Sequence, residues 1–511
     1  MKKTLLMLVA FMATMTAFAS AEEEGWQKTF VPVGSSSTPE GLHTAVAGDG
    51  SVFASSTYNQ AFTLGDVTVA DPEGLTSSCV LKFDKDGNAK WVVTLLGKCY
   101  VRAMVADTDG RLYVAAQSQD TKVVCTGTDG KHYEIDNPAG ELYGLPYPAF
   151  ILRIDANGAI AATKTIATVP NAELLSSFMY FPEKGDIYVR PLDMSIDGDN
   201  LYVSANFTGD NYDLGWYGSI LNYFDVMYVD NKSCGIFSLT KELGALQSEL
   251  VVQNSDAISY NQHFPEAIGF VAKDGKVFAG FIGFGNLTAK TPAGSAPFEF
   301  EMATDESGNA EHPFVMLRTD HPTDAKIFHA AMHSRLNAPY NVVGATMNGT
   351  NFYMSGTFYG NFPLDNSKNA AESATSSFVA CIDGERNVSW SWVNPAESKA
   401  TCMIVTGEET NAATEAAMYR LKTATGELKD TRNQGYEDAD VYNDQYVSTV
   451  YTKDNSVTVF SPKLKPSGIE TMKAQKNGNA KFYNLNGVEL NGAQKGLNII
   501  KTENGVKKVV K

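Results

Sequence analysis

Short runs in which apolar and polar residues alternate dominate the chain, and most are bounded by Gly, Asn or Asp. Alternation with a period of two is typical of half-buried strands, whereas amphipathic helical spacing is scarce. One phrase, a turn followed by a strand, recurs along the chain: GDGSVFASS at 48–56, DTDGRLYVAA at 107–116, DGDNLYVSA at 197–205, AKDGKVFAG at 272–280, MNGTNFYMSG at 347–356 and, more weakly, YNDQYVSTV at 442–450. Asp-Gly and Asn-Gly turns between such runs predict β-hairpins, because these turns require positive φ. The aromatic residues of the phrase are expected at one equivalent position, occupied by Phe53, Tyr113, Tyr202, Phe278, Tyr353 and Tyr446.

A second strand–turn–strand phrase lies between copies of the first. It reads CVLKFDKDGNAKW at 79–91, FILRIDANGAI at 150–160, FVACIDGERNVSW at 378–390 and, more loosely, AMYRLKTATGELK at 417–429. Two hairpins per unit make a four-stranded meander, which is the repeating unit of a β-propeller. The pattern therefore predicts an all-β fold, a β-propeller of six or seven four-stranded blades over residues 22–463. The count is seven if the degenerate unit at 400–433 forms a blade. A series of β-sandwiches is the alternative interpretation of repeated hairpins.

The N-terminal part of the propeller is expected to close the ring. Trp26 begins GWQKTFVPV, which resembles the last strand of a unit in the same way as Trp91 and Trp390. The final repeat, at 436–463, lacks such a strand. We expect residues 25–33 to complete the last blade, which removes an exposed sheet edge.

Residues 1–21 have the layout of a cleavable signal peptide. Lys2 and Lys3 precede an apolar run, and small residues follow up to Ala21. Cleavage is expected after Ala21, with Ala19 as the second choice and an uncleaved anchor as the alternative. The mature chain is then exported to the cell surface, the outer membrane or the medium, with the periplasm as the alternative. The formal net charge of −17 argues against nucleic acid as a partner.

These phrases resemble a bacterial propeller repeat family, the SBBP-like repeats, whose units read as a turn, Y-V-x-G, F-x-L-G, F-V-x-K-x-D-x-x-G and Trp. The resemblance covers about residues 25–463. Residues 464–511 resemble instead the C-terminal (Por) sorting domain of type IX secretion substrates of Bacteroidetes. The residues that carry this second resemblance are Ile469, Tyr483, Gly487, Gly496 and Gly505. It implies a small C-terminal β-module that the type IX secretion machinery recognises. A plain β-module without an address role is the alternative.

Candidate chemistry is sparse. The six cysteines of an exported chain invite disulfides, but Cys79 and Cys234 occupy positions that hold Phe in sister units and are expected in the core. Reflection of the hairpin at 79–91 about its turn places Thr94, and not Cys99, opposite Cys79. The histidines His329 and His333 have helical metal-ligand spacing without a third ligand, so ordinary histidines are expected. The Asp-rich turns at 84–87, 107–110 and 197–200 offer too few oxygens for calcium and are expected to be hairpin turns.

The sequence assigns no catalytic, cofactor-binding or metal-ligating residue. The alternating acids Glu437, Asp438, Asp440 and Asp444 are expected to form a solvated strand face. Long insertions at 119–148, 207–232 and 287–312 are expected to present binding loops. The first functional hypothesis is a non-catalytic binding or structural propeller for an unknown glycan, peptide or protein. A secreted glycan- or peptide-degrading enzyme is the alternative, which carboxylates converging in the central funnel would favour.

Overall fold

The chain folds into small antiparallel β-sheets. The computed structural model describes residues 25–120, 122–136, 149–166, 168–169, 189–207, 210–211, 233–254, 266–282, 287–292, 294–298, 314–319, 326–328, 341–359, 362, 364, 375–385, 387–462, 481–483, 489–490, 497–502 and 505–510. These residues contain strands and turns and no helix, so none of their segments is a helix able to span a membrane. The chain divides into two compact units, 1–463 and 464–511.

The larger unit contains seven antiparallel blades among its described residues. Each blade has four strands, named here inner, second, third and outer. Blade 1 consists of Thr44–Val46, Val52–Tyr58, Ser77–Phe83 and Ala89–Leu96. Blade 2 consists of Cys99–Ala106, Leu112–Ser118, Ala149–Ile154 and Ile160–Ile166. Blade 3 consists of Val189–Asp197, Asn200–Phe207, Ser233–Thr240 and Gln247–Asn254. Blade 4 consists of Glu266–Lys273, Lys276–Ile282, Phe314–Arg318 and Lys326–Phe328. Blade 5 consists of Asn341–Asn348, Asn351–Tyr359, Thr375–Ile382 and Val388–Val393. Blade 6 consists of Ala400–Val405, Glu409–Thr414, Met418–Lys422 and Leu428–Arg432. Blade 7 consists of Asp438–Tyr442, Tyr446–Lys453, Ser456–Pro462 and Gly25–Phe30.

The blades form a closed ring around a central channel. Each inner strand contacts the inner strand of the next blade, and the inner strand of blade 7 contacts that of blade 1. The predicted β-propeller is confirmed, and the degenerate unit at 400–433 is blade 6. Apolar side chains fill the spaces between blades, as in the cluster of Phe53, Trp91, Val114 and Phe150 between blades 1 and 2. Burying each blade face against its neighbour is what stabilises this repeat architecture.

The N-terminal strand closes the ring as predicted. Gly25–Phe30 pairs antiparallel with Ser456–Pro462, with Trp26 opposite Ser461. The strand is the outer strand of blade 7, so the first and last segments of the ring share one sheet. This pairing covers a sheet edge that would otherwise be exposed on the third strand of blade 7.

The recurring tryptophans mark one contact repeated between blades. The indole N–H groups of Trp26, Trp91 and Trp390 donate to the carbonyl oxygens of Lys85, Ala156 and Thr423. Each acceptor lies in the turn between the third and outer strands of the next blade. A glycine with positive φ lies in each of these turns, and a Cβ atom there would come within 3 Å of the tryptophan ring; these glycines are Gly87, Gly158 and Gly426. The outer strand of one blade is thus tied to a glycine turn of the next.

One predicted equivalence is wrong. Tyr113 follows Asp107, whose carbonyl oxygen accepts the N–H of Gly110 in the turn. In blade 7 the matching bond joins the Gln445 N–H to the Tyr442 carbonyl oxygen. Counting from these bonds places Ser448, and not Tyr446, at the position of Tyr113. Both segments contain Tyr-Val, but relative to the turn the Tyr of blade 7 lies two residues earlier than Tyr113. A shift of two residues leaves each side chain on the same face of the strand.

The insertions expected to present binding loops form additional strands in their described parts. Lys122–Thr126 and His132–Asp136 form a hairpin that extends the outer edge of blade 1. Leu287–Thr291 and Gly294–Phe298 extend blade 3 in the same way, and Asp210–Asn211 pairs with Thr168–Val169 beyond the outer strand of blade 2. An outer strand has unpaired backbone groups on its free edge, and the two hairpins pair with them.

The smaller unit contains a four-stranded antiparallel sheet. Its strands are Lys481–Tyr483, Glu489–Leu490, Leu497–Thr502 and Gly505–Val510, and in the sheet Lys481–Tyr483 lies between Glu489–Leu490 and Leu497–Thr502. Tyr483 and Gly505 lie on strands of this sheet. Ile469, Gly487 and Gly496 lie outside the described residues, as does Ala21.

Candidate functional site at the mouth of the central channel

The inner strands share an irregularity that defines equivalent positions in the channel. In blades 2 to 6 the pairing register shifts by one residue, a β-bulge, at Arg102, Leu192, Ile268, Val343 and Thr401. The residue after each bulge therefore lies at one level of the ring. These residues are Ala103, Asp193, Gly269, Gly344 and Cys402. Bulges bend a strand and redirect a side chain, and they are frequent next to functional sites.

Three aspartates lie at and just beyond this level. Asp193 belongs to the inner strand of blade 3, and Asp438 and Asp440 belong to that of blade 7. Blades 1 and 2 separate these strands in the ring, so the carboxyls influence each other across the channel. Burial raises the pKa of Asp193 to about 7, and the charges of Asp438 and Asp440 add to the rise. Burial and the charge of Asp438 raise the pKa of Asp440 to about 7 against the opposing effect of its hydrogen bonds.

Two of these carboxylates join the last blade to the first. The Thr44 N–H donates to Asp438 Oδ2 at 2.8 Å, and the Val46 N–H donates to Asp440 Oδ2 at 2.7 Å. His43 Nδ1 lies 3.7 Å from Asp438 Oδ2. An inner strand has no partner strand on its channel side, so its N–H groups need acceptors from elsewhere. The prediction of a solvated acidic face is therefore wrong for Asp438 and Asp440, because both carboxylates are engaged by the edge of blade 1.

One end of the channel, called the mouth here, lies where the inner strands begin. Each meander has the turns from inner to second strand and from third to outer strand at one end, and the connections from second to third strand and from blade to blade at the other, among them the long connections at 59–76 and 119–148. Tyr100 pairs with Gln117 in blade 2, and the Thr57 N–H donates to the Glu40 carbonyl oxygen at the matching place in blade 1. Counting back from the bulge, Arg190 takes this place in blade 3. Adjacent blades thus contribute Glu40, Tyr100 and Arg190 at one level, on the side of the long connections.

Arg102, the bulged residue of blade 2, is oriented by a neutral side chain. Its Nε and Nη2 donate to Gln117 Oε1 at 3.2 and 3.0 Å, and its guanidinium lies 5.3 Å from the centre of the Tyr100 ring. Gln117 is buried, and its Nε2 donates to the Val189 carbonyl oxygen at 3.0 Å. Burial and the charge of Arg190 lower the pKa of Arg102. The mouth therefore holds a fixed cation, a second cation beside it and an aromatic ring.

The arrangement can bind a polar ligand along the channel axis. Guanidinium and aromatic groups lie at the mouth, and carboxyl groups lie deeper. Sequence reasoning named Asp440 but expected it on a solvated face. It missed Asp193, Arg102 and Arg190, because the recurring phrase begins at the turn and leaves out the preceding inner strand. A search of the residues before each turn for charged side chains would have found them.

The cysteines lie in the core. None of the six, all of which the structure describes, forms a disulfide, and all are buried. Cys79 pairs with Thr94, as the reflection predicted, and both Cys79 and Cys234 lie between blades. Cys79 takes the position of Phe150, but Cys234 pairs with Asn206 and takes the position of Ala149, so its predicted equivalence with Phe is wrong by one residue. Burial raises the pKa of the Cys79 and Cys99 thiols to about 12, so these groups remain protonated.

The Asp-rich turns are hairpin turns, as predicted. Asp84 Oδ1 accepts the N–H groups of Asp86 and Asn88, and Asp107 Oδ1 accepts those of Asp109 and Arg111. Among the described residues no group of three or more His, Cys, Asp or Glu side chains could hold a metal ion. The histidines His329 and His333 lie outside the described residues.

Comparison with known proteins supplies no family. No protein-family model matches this chain, and no curated protein does so. Among solved structures, the hydrazine synthase of Kuenenia stuttgartiensis is 10% identical, covers 85% of this chain and 97% of its own, and has a TM-score of 0.40. The computationally designed Ika8 protein is 10% identical, covers 84% of this chain and 99% of its own, and has a TM-score of 0.35. Likeness at this level carries no argument about function.

Proposed function

We propose that this protein is an exported, non-catalytic propeller that binds a glycan, peptide or protein ligand at the mouth of its central channel. The leader at 1–21 starts export, and Ala21 is its cleavage site. Residues 464–511, by their resemblance to Por sorting domains, direct the chain through the type IX secretion machinery to the cell surface or beyond. The ring belongs, by the same kind of resemblance, with the SBBP-like repeat propellers.

The contrast between two sets of charged groups supports binding over catalysis. Asp438 and Asp440 each accept a backbone N–H from blade 1, so their oxygens contribute to ring closure. Arg102 at the mouth is held by Gln117 of its own blade and, among the described residues, donates to no group of another blade; Tyr100 lies beside it. Side chains that are held rigidly and left available are the usual components of a binding surface on a rigid scaffold.

An array of glycans and peptides probed with the full-length mature protein tests the binding proposal. The variant Tyr100→Ala removes the ring at the mouth, and we expect it to weaken binding to any captured ligand. Tyr133→Ala is the matched control, because Tyr133 lies on the added hairpin at the outer edge of blade 1. Equal binding by both variants would place the ligand elsewhere, and a blank array would contradict the proposal.

One observation favours the enzyme as a second candidate. Burial raises the pKa of Asp193 and of Asp440 to about 7, and the charge of Asp440 adds to the rise at Asp193, so one carboxyl can stay protonated while the other is ionised, as acid–base hydrolysis requires. Incubation with oligosaccharide and peptide libraries, followed by mass spectrometry, tests this candidate. Cleavage that is lost in Asp193→Asn would establish the enzyme. Binding without any cleavage would leave the non-catalytic function.

A further inference from the structure

The partner that orients Arg102 is uncharged. Most positioned arginines are held by a carboxylate, which neutralises them. Arg102 is held by the buried amide oxygen of Gln117, and Gln117 is itself fixed by the Val189 carbonyl oxygen. Among the described residues, only the Nε–Nη2 edge of the guanidinium is engaged, which leaves further N–H donors for another acceptor. The side chain is therefore fixed in orientation and keeps its full charge.

A second cation lies on the neighbouring blade. Arg190 is exposed, and its charge is the strongest electrostatic influence on Arg102. Neither side chain forms an ion pair with a carboxylate in the part of the chain that the structure describes. Glu40 also acts on Arg102, but it is exposed, and its influence is the weakest of the charged groups that act on Arg102. Repulsion between two adjacent guanidiniums without a counter-ion raises the free energy of the folded protein, and a bound anion removes this repulsion.

The groups deeper in the channel restrict which class of ligand can carry the anionic group. Arg190 and Asp193 are two positions of pairing register apart, so they lie on one face of the strand with their Cα atoms separated by about 7 Å. A second negative charge at the level of Asp193 and Asp438 would be repelled. Hydroxyl groups, in contrast, can donate to these carboxyls or accept a hydrogen bond from a protonated one. The channel thus suits a ligand with one acidic end and a body rich in hydroxyls.

We propose that Arg102 and Arg190 bind the carboxylate of a uronic acid residue in an acidic saccharide. This inference rests on the proposed function and names its ligand class. A planar carboxylate matches the fork of a guanidinium, and bidentate pairs of this kind are among the stronger hydrogen-bonded contacts in proteins. The Tyr100 ring beside Arg102 offers an apolar face against which a sugar ring can pack.

Calorimetric titration of the full-length mature protein with an aldotriouronic acid, which carries one uronic acid residue, and with its methyl ester tests the assignment. The two saccharides differ only at the carboxyl group, which is charged in the acid and methylated and neutral in the ester. We expect the acid to bind at least tenfold more tightly than the ester. Arg190→Gln and Arg102→Gln should each remove this preference. Lys28→Gln, which removes one charge on the outer strand of blade 7, should keep it.

The outcomes separate this inference from the proposal beneath it. Equal binding of acid and ester, weakened together by Tyr100→Ala, would overturn the carboxylate assignment and leave a binding propeller. If free sulfate competes with an affinity equal to that of the saccharide, the site is a simple anion site, and the assignment of a saccharide ligand is overturned. Tighter binding of a peptide with a free C-terminal carboxylate would do the same. Arg190 is exposed, so its variant is expected to fold, which keeps the test valid if Arg102→Gln does not.

Discussion

Replacement of Gly87 by alanine tests how the blades are tied together. Gly87 has φ of 81°, and a Cβ atom there would lie 2.5 Å from Cδ2 of Trp26. Trp26 belongs to the strand that closes the ring, and its ring centre lies 5.3 Å from that of Phe83. The added methyl group cannot be accommodated unless the indole moves away from the turn, so the perturbation acts on ring closure itself.

The magnitude separates into two contributions. A residue other than glycine at positive φ costs about 1–2 kcal/mol. Displacement of Trp26 loses its packing on the turn and the bond from its N–H to the Lys85 carbonyl oxygen, which together are about 2–3 kcal/mol. We therefore expect Gly87→Ala to lower the free energy of unfolding by about 3–5 kcal/mol.

Gly74 supplies a matched control. It has φ of 83°, and a Cβ atom there would meet no atom within 4 Å. Gly74→Ala should therefore show the backbone cost alone, about 1–2 kcal/mol. Urea unfolding of the full chain, followed by far-ultraviolet circular dichroism, measures both variants, and the slope with urea should not change between them.

Equal losses in the two alanine variants would refute the steric reasoning. A double-mutant cycle sharpens the test. In a Trp26→Ala background the indole is absent, so Gly87→Ala should cost no more than Gly74→Ala does in the parent, and the coupling should be about 2 kcal/mol. A coupling near zero would mean that Trp26 and the Gly87 turn do not stabilise each other.

Three further predictions concern pH, closure and the tail. The folded-state pKa of about 7 at Asp193 and Asp440 lies above the ordinary 3.8, so the folded chain binds more protons between these values and stability should fall as pH rises from about 4 through 7. Urea midpoints at pH 5 and pH 8 measure this fall, and Asp193→Asn should reduce it; an unchanged difference would contradict the assignment. Deletion of residues 22–33 should expose the edge of Ser456–Pro462 and cause aggregation, seen by light scattering, whereas a monomeric cooperative fold would show that closure is dispensable. Truncation after residue 463 should leave ring unfolding cooperative and, in a host with type IX machinery, leave the protein in the periplasm; surface delivery of the truncated form would end the sorting proposal.

The repeat pattern predicted much of the fold because strand and turn signals are local. Asp-Gly turns and alternating apolar residues identified the hairpins, and the recurrence of Trp26, Trp91 and Trp390 identified the closing strand. The added hairpins at the outer edges of blades 1 and 3 were not predicted. Their partners lie in the preceding blade, so their role depends on which sheet edge is near, and no local pattern records that.

The candidate site shows the same division more sharply. The sequence by itself determined that alternating strands repeat, that the turns are glycine-rich and that Cys79 replaces a core phenylalanine, because each follows from the side-chain period of two and from φ preferences. Only the tertiary structure decided that Asp193 faces Asp438 and Asp440, that Arg102 has Arg190 and not a carboxylate beside it, and that an apparently solvated acidic strand holds the edge of blade 1. These contacts join residues far apart in the chain, and the closure of the ring brings them together.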